Sequence, residues 1–113
     1  MIMFDQGDVV IVEFDPTLGH EPQKRRPALV VSDGYFNNVL SSLTVVCPIT
    51  TTNNFHPLHV TIEDDTLGIS GCVCLEQIRS IDLTKRNVEK TEIQMDTATM
   101  TRVLDGLGAM FGI

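Results

Sequence analysis

Two apolar runs, Val9–Phe14 and Ala28–Val31, flank a polar segment that extends from Asp15 to Arg26. The first run is rich in β-branched residues, which suits a buried strand. The segment between them holds Pro16, Gly19 and Pro22, so neither strand can continue through it. A strand–loop–strand unit is therefore expected at the start of the chain. Its loop gathers three consecutive cations, Lys24, Arg25 and Arg26, in a protein whose formal net charge is -7. Pro27 biases Arg26 toward an extended conformation and removes one ladder donor where the second strand opens. A guanidinium at the mouth of a strand is always charged and offers a fork of donors that matches a phosphate.

The rest of the chain continues in short strands. Leu43–Ile49 reads as a third strand, with Pro48 near its end or on an edge. Tyr35 to Ser42 is ambiguous: Asn37-Asn38 suggests a turn with a short helical piece. Leu58–Ile62 alternates cleanly, which sends Leu58, Val60 and Ile62 to the core and His59 to the outer face. Cys72–Leu75 and Arg79–Asp82 are two further strands; Lys85 to Glu92 is either a last strand or an irregular connection. The period then changes. Met100, Val103, Leu104, Leu107 and Phe111 fall at helical spacing, with either Asp96 or Thr97 as the cap. Gly106 and Gly108 require close packing there, or the helix ends early. About six short strands and one C-terminal amphipathic helix describe a mainly β protein, a small and partly closed barrel.

At 113 residues the chain predicts a single domain, 1–113, with a modest core. No apolar run approaches the roughly 20 residues needed to cross a bilayer, and the opening MIMFDQGD lacks the features of a secretory signal. A cytoplasmic location without membrane contact is the expectation. Cys47, Cys72 and Cys74 are odd in number and lack metal-ligand spacing, so they read as small apolar packing residues. The pI near 4.7 excludes a broad basic face of the kind general nucleic-acid binders use. It permits a short single strand held by a few local cations.

Three stretches together carry a resemblance. The first is the pattern G-D-(apolar run)-x-F-D-P-T-x-G-x-E-x4-R-P-A-(apolar run)-S. It is followed by Val46-Cys47-Pro48-Ile49-Thr50-Thr51 and then by Cys74-Leu75-Glu76-Gln77-Ile78-Arg79-Ser80-Ile81-Asp82. In this order and spacing they resemble the MazF/PemK-type toxin endoribonucleases over roughly Gly7 to Leu107. The resemblance implies an SH3-like barrel with a packed helix, paired as a two-fold homodimer. It also implies metal-independent cleavage of single-stranded RNA by attack of the internal 2′-OH, with no cofactor and no metal. The implied partner is an antitoxin whose acidic, disordered segment occupies the RNA groove, with DNA contacted only through that antitoxin.

Each candidate residue also has an ordinary reading. Taken alone, Arg26 is a solvated surface charge; in the resembled family the arginine at this place contacts the scissile phosphate. Its high pKa makes it a poor base, so phosphate clamping and transition-state stabilisation come first. Thr50 is ordinary turn chemistry by itself, and the resemblance places it with the arginine; Thr51 can share the role. Glu21 is either an exposed loop acid or a group that orients Arg26 or accepts a proton. Lys24 and Arg25 read as contacts to flanking phosphates. Gln77 and Ser80 read either as a polar turn or as lining of the substrate groove. His20 lies in the loop and is a weaker substrate contact; His56 and His59 rank below it. Tyr35 and Phe55 serve either base stacking or the core. The alternative function is a non-enzymatic toxin resembling the CcdB-type poisons of DNA gyrase, which act through a C-terminal helix surface and need no catalytic arginine.

Overall fold

The computed structural model describes residues 2–14, 25–52 and 55–113. Among the described residues seven strands and three short helical turns, Phe36–Leu40, Leu75–Gln77 and Leu83–Lys85, precede one α-helix: β1 (Asp8–Glu13), β2 (Arg25–Val30), β3 (Thr44–Thr50), β4 (His59–Thr61), β5 (Cys72–Cys74), β6 (Arg79–Ile81), β7 (Val88–Gln94) and α1 (Thr97–Met110). The segment left open between strand and connection is thus a regular seventh strand. The pairings are antiparallel throughout, in the order β4-β5-β3-β2-β1-β7, with β6 also paired to β3. Among the described residues no ladder joins β7 back to β4, so the sheet curls without closing.

β3 is the hub. One edge pairs with β2 through Val46, Cys47 and Pro48. The other edge pairs first with β6, through Thr44–Val46, and then with β5, through Ile49 and Thr50. Pro48 falls at the junction between those two partners, where the ladder passes from one strand to the next. A residue without an N–H is tolerated there although β3 is an interior strand.

Strand alternation sorts the apolar side chains into two cores. On one face Val9, Leu29, Cys47, Ile49 and Val73 pack with Leu75 and with Val103 and Leu107 of α1. On the other, Val10, Val12, Ala28, Val30, Val46 and Ile81 pack with Phe4, Phe14 and Leu83. Complete burial of a Val or Leu side chain contributes about 1.5–3 kcal/mol, and Val9, Val10, Val12, Leu29, Val30, Val46, Val73 and Val103 are all fully enclosed. The strands that carry Arg26 and Thr50 are therefore held from both sides.

Asp8 follows Gly7 in the first motif and is buried. Its carboxylate accepts from the Asp5 N–H and the Gln94 side chain, with Lys90 Nζ 3.4 Å away. Its role is to fasten the start of β1. Asp96, one of the two expected caps, opens α1 by accepting from the Thr99 N–H at 2.9 Å. Val103 and Leu107 of the helical stripe are buried, whereas Leu104 and Phe111 are exposed. The helix continues through Gly106, where a Cβ would stand 2.5 Å from Leu75 Cδ1. Close packing, not early termination, explains that glycine. No helix among the described residues is long and apolar enough to cross a membrane.

Candidate active site

β2 begins at Arg25, so Arg26 lies inside the strand, opposite Val12 of β1. Its side chain is exposed, and among the described residues it has no ion-pair partner. Thr50 is the last residue of β3 and is half-buried opposite Cys72. The β2–β3 ladder pairs Ala28 with Pro48 and Val30 with Val46. Extrapolated by two residues beyond its last pair, the same register brings Arg26 to the level of Thr50, and both act on the Cys74 thiol. Alternation then puts both on the face of Ala28, Val30, Val46 and Pro48, at the open end of one core.

The Cys74 thiol ties this corner together. It accepts a hydrogen bond from the Thr50 backbone N–H and lies within the fields of Glu76 and Arg26. Burial pushes the thiol up, Glu76 adds to that, and Arg26 pulls the other way. Cys47 is pushed up to about 12, first by burial and then by Cys74 and Glu76. All three cysteines are buried and free, so they pack as expected, and the raised Cys47 and Cys74 are not thiolates near neutral pH.

The Thr50 hydroxyl oxygen accepts from the Thr52 N–H at 3.2 Å. Its own proton is therefore directed elsewhere and can be donated to an anion. Gly71, with φ of +116°, makes this geometry possible: a Cβ there would sit 2.0 Å from the Thr50 carbonyl oxygen. Only glycine allows so close an approach in the left-handed region.

Register also identifies a cation that sequence reasoning leaves without a role. Arg79 pairs with Val46, which places it on the same face as Arg26 and Thr50. Its guanidinium lies 4.9 Å from the centre of the Phe14 ring, a cation–π contact just past the end of β1. Ser80 alternates to the opposite face, opposite Val45, and is exposed. Arg25 likewise alternates away from Arg26 and lies 3.9 Å from Glu89 of β7. Gln77 and Thr51 are exposed close to this end of the sheet, in the short 3-10 turn Leu75–Gln77 and in the bend after β3. His20, Glu21 and Lys24 lie outside the described residues.

A second group forms alongside. His59 does point away from the Val60 face, but that side is covered, not open to solvent. Its side chain is only 8% exposed, with Nε2 2.9 Å from Glu76 Oε2 and the His56 ring stacked on it at 4.7 Å. The outer face expected for His59 is thus a packed corner made by the turn before β4 and the turn after β5. Burial works against the Glu76 carboxylate. The His59 hydrogen bond, a backbone bond and the nearby imidazoles outweigh it and hold the group below the ordinary carboxylate range. Glu76 is therefore ionised near neutral pH. Phe55 and Tyr35 are both exposed, which removes the core reading for each. Phe55 is also the one non-glycine residue with positive φ among those described.

An exposed guanidinium and a half-buried hydroxyl lie on one face of an antiparallel sheet that carries a C-terminal α-helix. The family model of the PemK-like, MazF-like toxins of type II toxin–antitoxin systems matches residues 5–111, and the chain belongs to that family. The endoribonuclease toxin ChpB of Escherichia coli K12 is 39% identical over 101 residues, covering 82% of each chain. The Escherichia coli endoribonuclease PemK is 36% identical over 94% of this chain and 80% of its own length. Among solved structures, MazF from Deinococcus radiodurans superposes with a TM-score of 0.84 at 33% identity, covering all of both chains. In a MazE–MazF complex from the same organism the matching chain gives 0.82 at 29% identity, covering 100% of this chain and 99% of that one. These likenesses lend nothing to the gyrase-poison alternative.

Proposed function

We propose that the chain is a sequence-specific, metal-independent endoribonuclease that acts on single-stranded RNA as the toxin of a toxin–antitoxin pair. The observation that carries this reading is the β2–β3 register, which directs Arg26 and Thr50 to one open corner. Relatives bearing the name endoribonuclease support it. In the reaction the substrate's 2′-OH attacks the adjacent phosphorus, the bond from phosphorus to the 5′-oxygen breaks, and that oxygen takes up a proton from solvent or from Arg26 as it leaves. The products are a cyclic phosphate and a 5′-hydroxyl, and DNA, which lacks the nucleophile, is spared.

Arg26 clamps the phosphate and stabilises the charge that builds on its oxygens. Thr50 donates to a phosphate oxygen or orients the 2′-OH. Arg79, on the same face, adds positive potential for the flanking backbone. The attacking hydroxyl must lose a proton, and Glu76 is an ionised carboxylate at this corner that can take it; Glu21 is the other acid assigned to that role. Lys24, Arg25, Thr51, Gln77, Ser80 and His20 remain proposed substrate contacts, with Arg25 and Ser80 on the strand faces opposite Arg26.

The MazE–MazF complexes among the structural neighbours support a cognate antitoxin. Its acidic segment would compete with RNA for the same cations, in a two-fold homodimer that meets DNA only through the antitoxin. The test is incubation of the purified chain with single-stranded RNA in EDTA, with Arg26→Ala as control. Cleavage at a short motif by wild type alone is the expected result. Silence of both proteins on varied RNAs would overturn the reading.

A further inference from the structure

The corner formed by His56, His59 and Glu76 has a composition unlike the rest of the site. Two imidazoles and one carboxylate converge, each presenting a ligand atom, with these atoms all within 4.8 Å of one another. His59 Nε2 and Glu76 Oε2 stand 2.9 Å apart, close to the roughly 3.3 Å between two ligands of a tetrahedral zinc at bond lengths near 2.0 Å. The His56 and His59 rings are stacked with an interplanar angle of 23°, so both edges are presented side by side. Among the described residues the buried Nδ1 of His59 has no hydrogen-bond partner.

We propose that His56, His59 and Glu76 form a binding site for a borderline divalent transition ion, Zn²⁺ foremost. Two nitrogens and one carboxylate oxygen suit Zn²⁺, Co²⁺ or Ni²⁺ and not Mg²⁺ or Ca²⁺, which require mostly oxygen ligands. The ion replaces the hydrogen bond between His59 and Glu76: a neutral His59 moves its ring proton from Nε2 to Nδ1 to free the ligand lone pair, and the protonated ring releases one proton to solvent. His56 supplies the third donor at a cost. Its Nδ1 accepts from the Leu58 N–H at 3.0 Å, so the ring must release that bond or turn over to bring a lone pair to the metal. The site is therefore weaker than a preorganised structural zinc site, and occupancy follows metal supply. Resting on the proposed ribonuclease reading, one consequence follows. A metal on Glu76 withdraws its carboxylate from the RNA corner, so Zn²⁺ slows cleavage while EDTA does not.

The decisive measurement is binding, not activity. The EDTA-stripped, dialysed protein is titrated with Zn²⁺ by calorimetry and with Co²⁺ by visible absorption, alongside His56→Ala and Glu76→Gln, each checked for fold by circular dichroism. One ion per chain in wild type is expected, with intense d–d bands, a release of protons that grows as pH falls, and at least tenfold weaker binding in both variants. Zn²⁺ binding undiminished in folded His56→Ala would assign the metal to the cysteines or surface acids and overturn the proposal. So would the absence of binding in wild type. In RNA assays, Zn²⁺ slows wild type and leaves His56→Ala unaffected. A protein that binds Co²⁺ as described but cleaves no RNA refutes the ribonuclease reading and leaves the metal site standing.

Discussion

Two corners share one end of this molecule and are built in different ways. The Arg26–Thr50 corner grows out of β2 and β3, whose side chains are locked between two apolar clusters. Arg26 and Thr50 project from the strand ends, the first exposed and the second half-buried. The His56–His59–Glu76 corner is assembled from turns that meet through the three-residue strands β4 and β5. Its groups are turned toward one another, with His59 bonded to Glu76 and stacked on His56. A rigid frame with open side chains is what electrostatic catalysis on an external phosphate requires, because the donors need not reorganise when charge develops. A corner closed on itself holds its groups in place for a smaller guest or for one another.

Arg26→Ala gives the sharpest contrast. Loss of a preorganised cation at the developing charge should lower kcat/KM for RNA cleavage by about 10³-fold or more, roughly 4 kcal/mol of barrier. Because the side chain is exposed, the Tm should stay within about 2 °C of wild type. Arg26→Lys should recover only part of the rate, since a point charge replaces a planar fork. An Arg26→Ala enzyme with near wild-type rate would move the chemistry out of the strand-built corner.

Gly71→Ala attacks the frame instead. Its φ of +116° and a Thr50 carbonyl oxygen only 2.0 Å from where the new Cβ would sit leave no room for alanine. A loss of about 3 kcal/mol in unfolding free energy is expected by denaturant titration, with the β3–β5 pairing disturbed. Both corners should fail together, since Thr50 pairs with Cys72 next to this glycine. Failure of only one would show that the two are less tightly joined than the ladder implies.

The first corner is legible in sequence because its parts are local or run in register. Arg26-Pro27 marks a strand opening, Thr50 a strand end, and the apolar runs between them are long enough to fix alternation. The second is not. His59 sits in a clean alternating run that correctly sends it away from the core, but nothing in that run says that Glu76, seventeen positions on, covers the same side. Arg79 is obscure for a like reason: only the β3–β6 register aligns it with Val46. The helix glycine and the interior Pro48 show the same limit, since close approach of Leu75 and the change of partner along β3 are tertiary facts. Conversely the buried Asp8, which stands in the most conspicuous motif, fastens a strand and has no place in the site.

Thr50→Val keeps the β-branched shape and removes the hydroxyl, so the strand end should persist while one donor is lost. A drop of about 10- to 100-fold in kcat, with KM changed less, is the expected signature of a bond made chiefly in the transition state. Thr50→Ser should retain most activity. Equal rates for Val and wild type would leave Arg26 to act without an alcohol.

The smallest effect concerns the closed corner and pH. The folded Glu76 pKa is lowered, because the His59 hydrogen bond and the nearby imidazoles outweigh burial. A group depressed on folding contributes stability that is fully present above its unfolded value, near 4.5. That contribution disappears as pH falls through the folded value. The Tm difference between wild type and Glu76→Gln should therefore be largest at about pH 6–7 and shrink steadily below about pH 5, while Arg26→Ala tracks wild type throughout. The difference will be modest, since the carboxylate is partly open to solvent. A gap that instead widened on acidification would mean that the carboxylate is strained by its neighbours, and the contrast between an open working corner and a self-satisfied one would have to be redrawn.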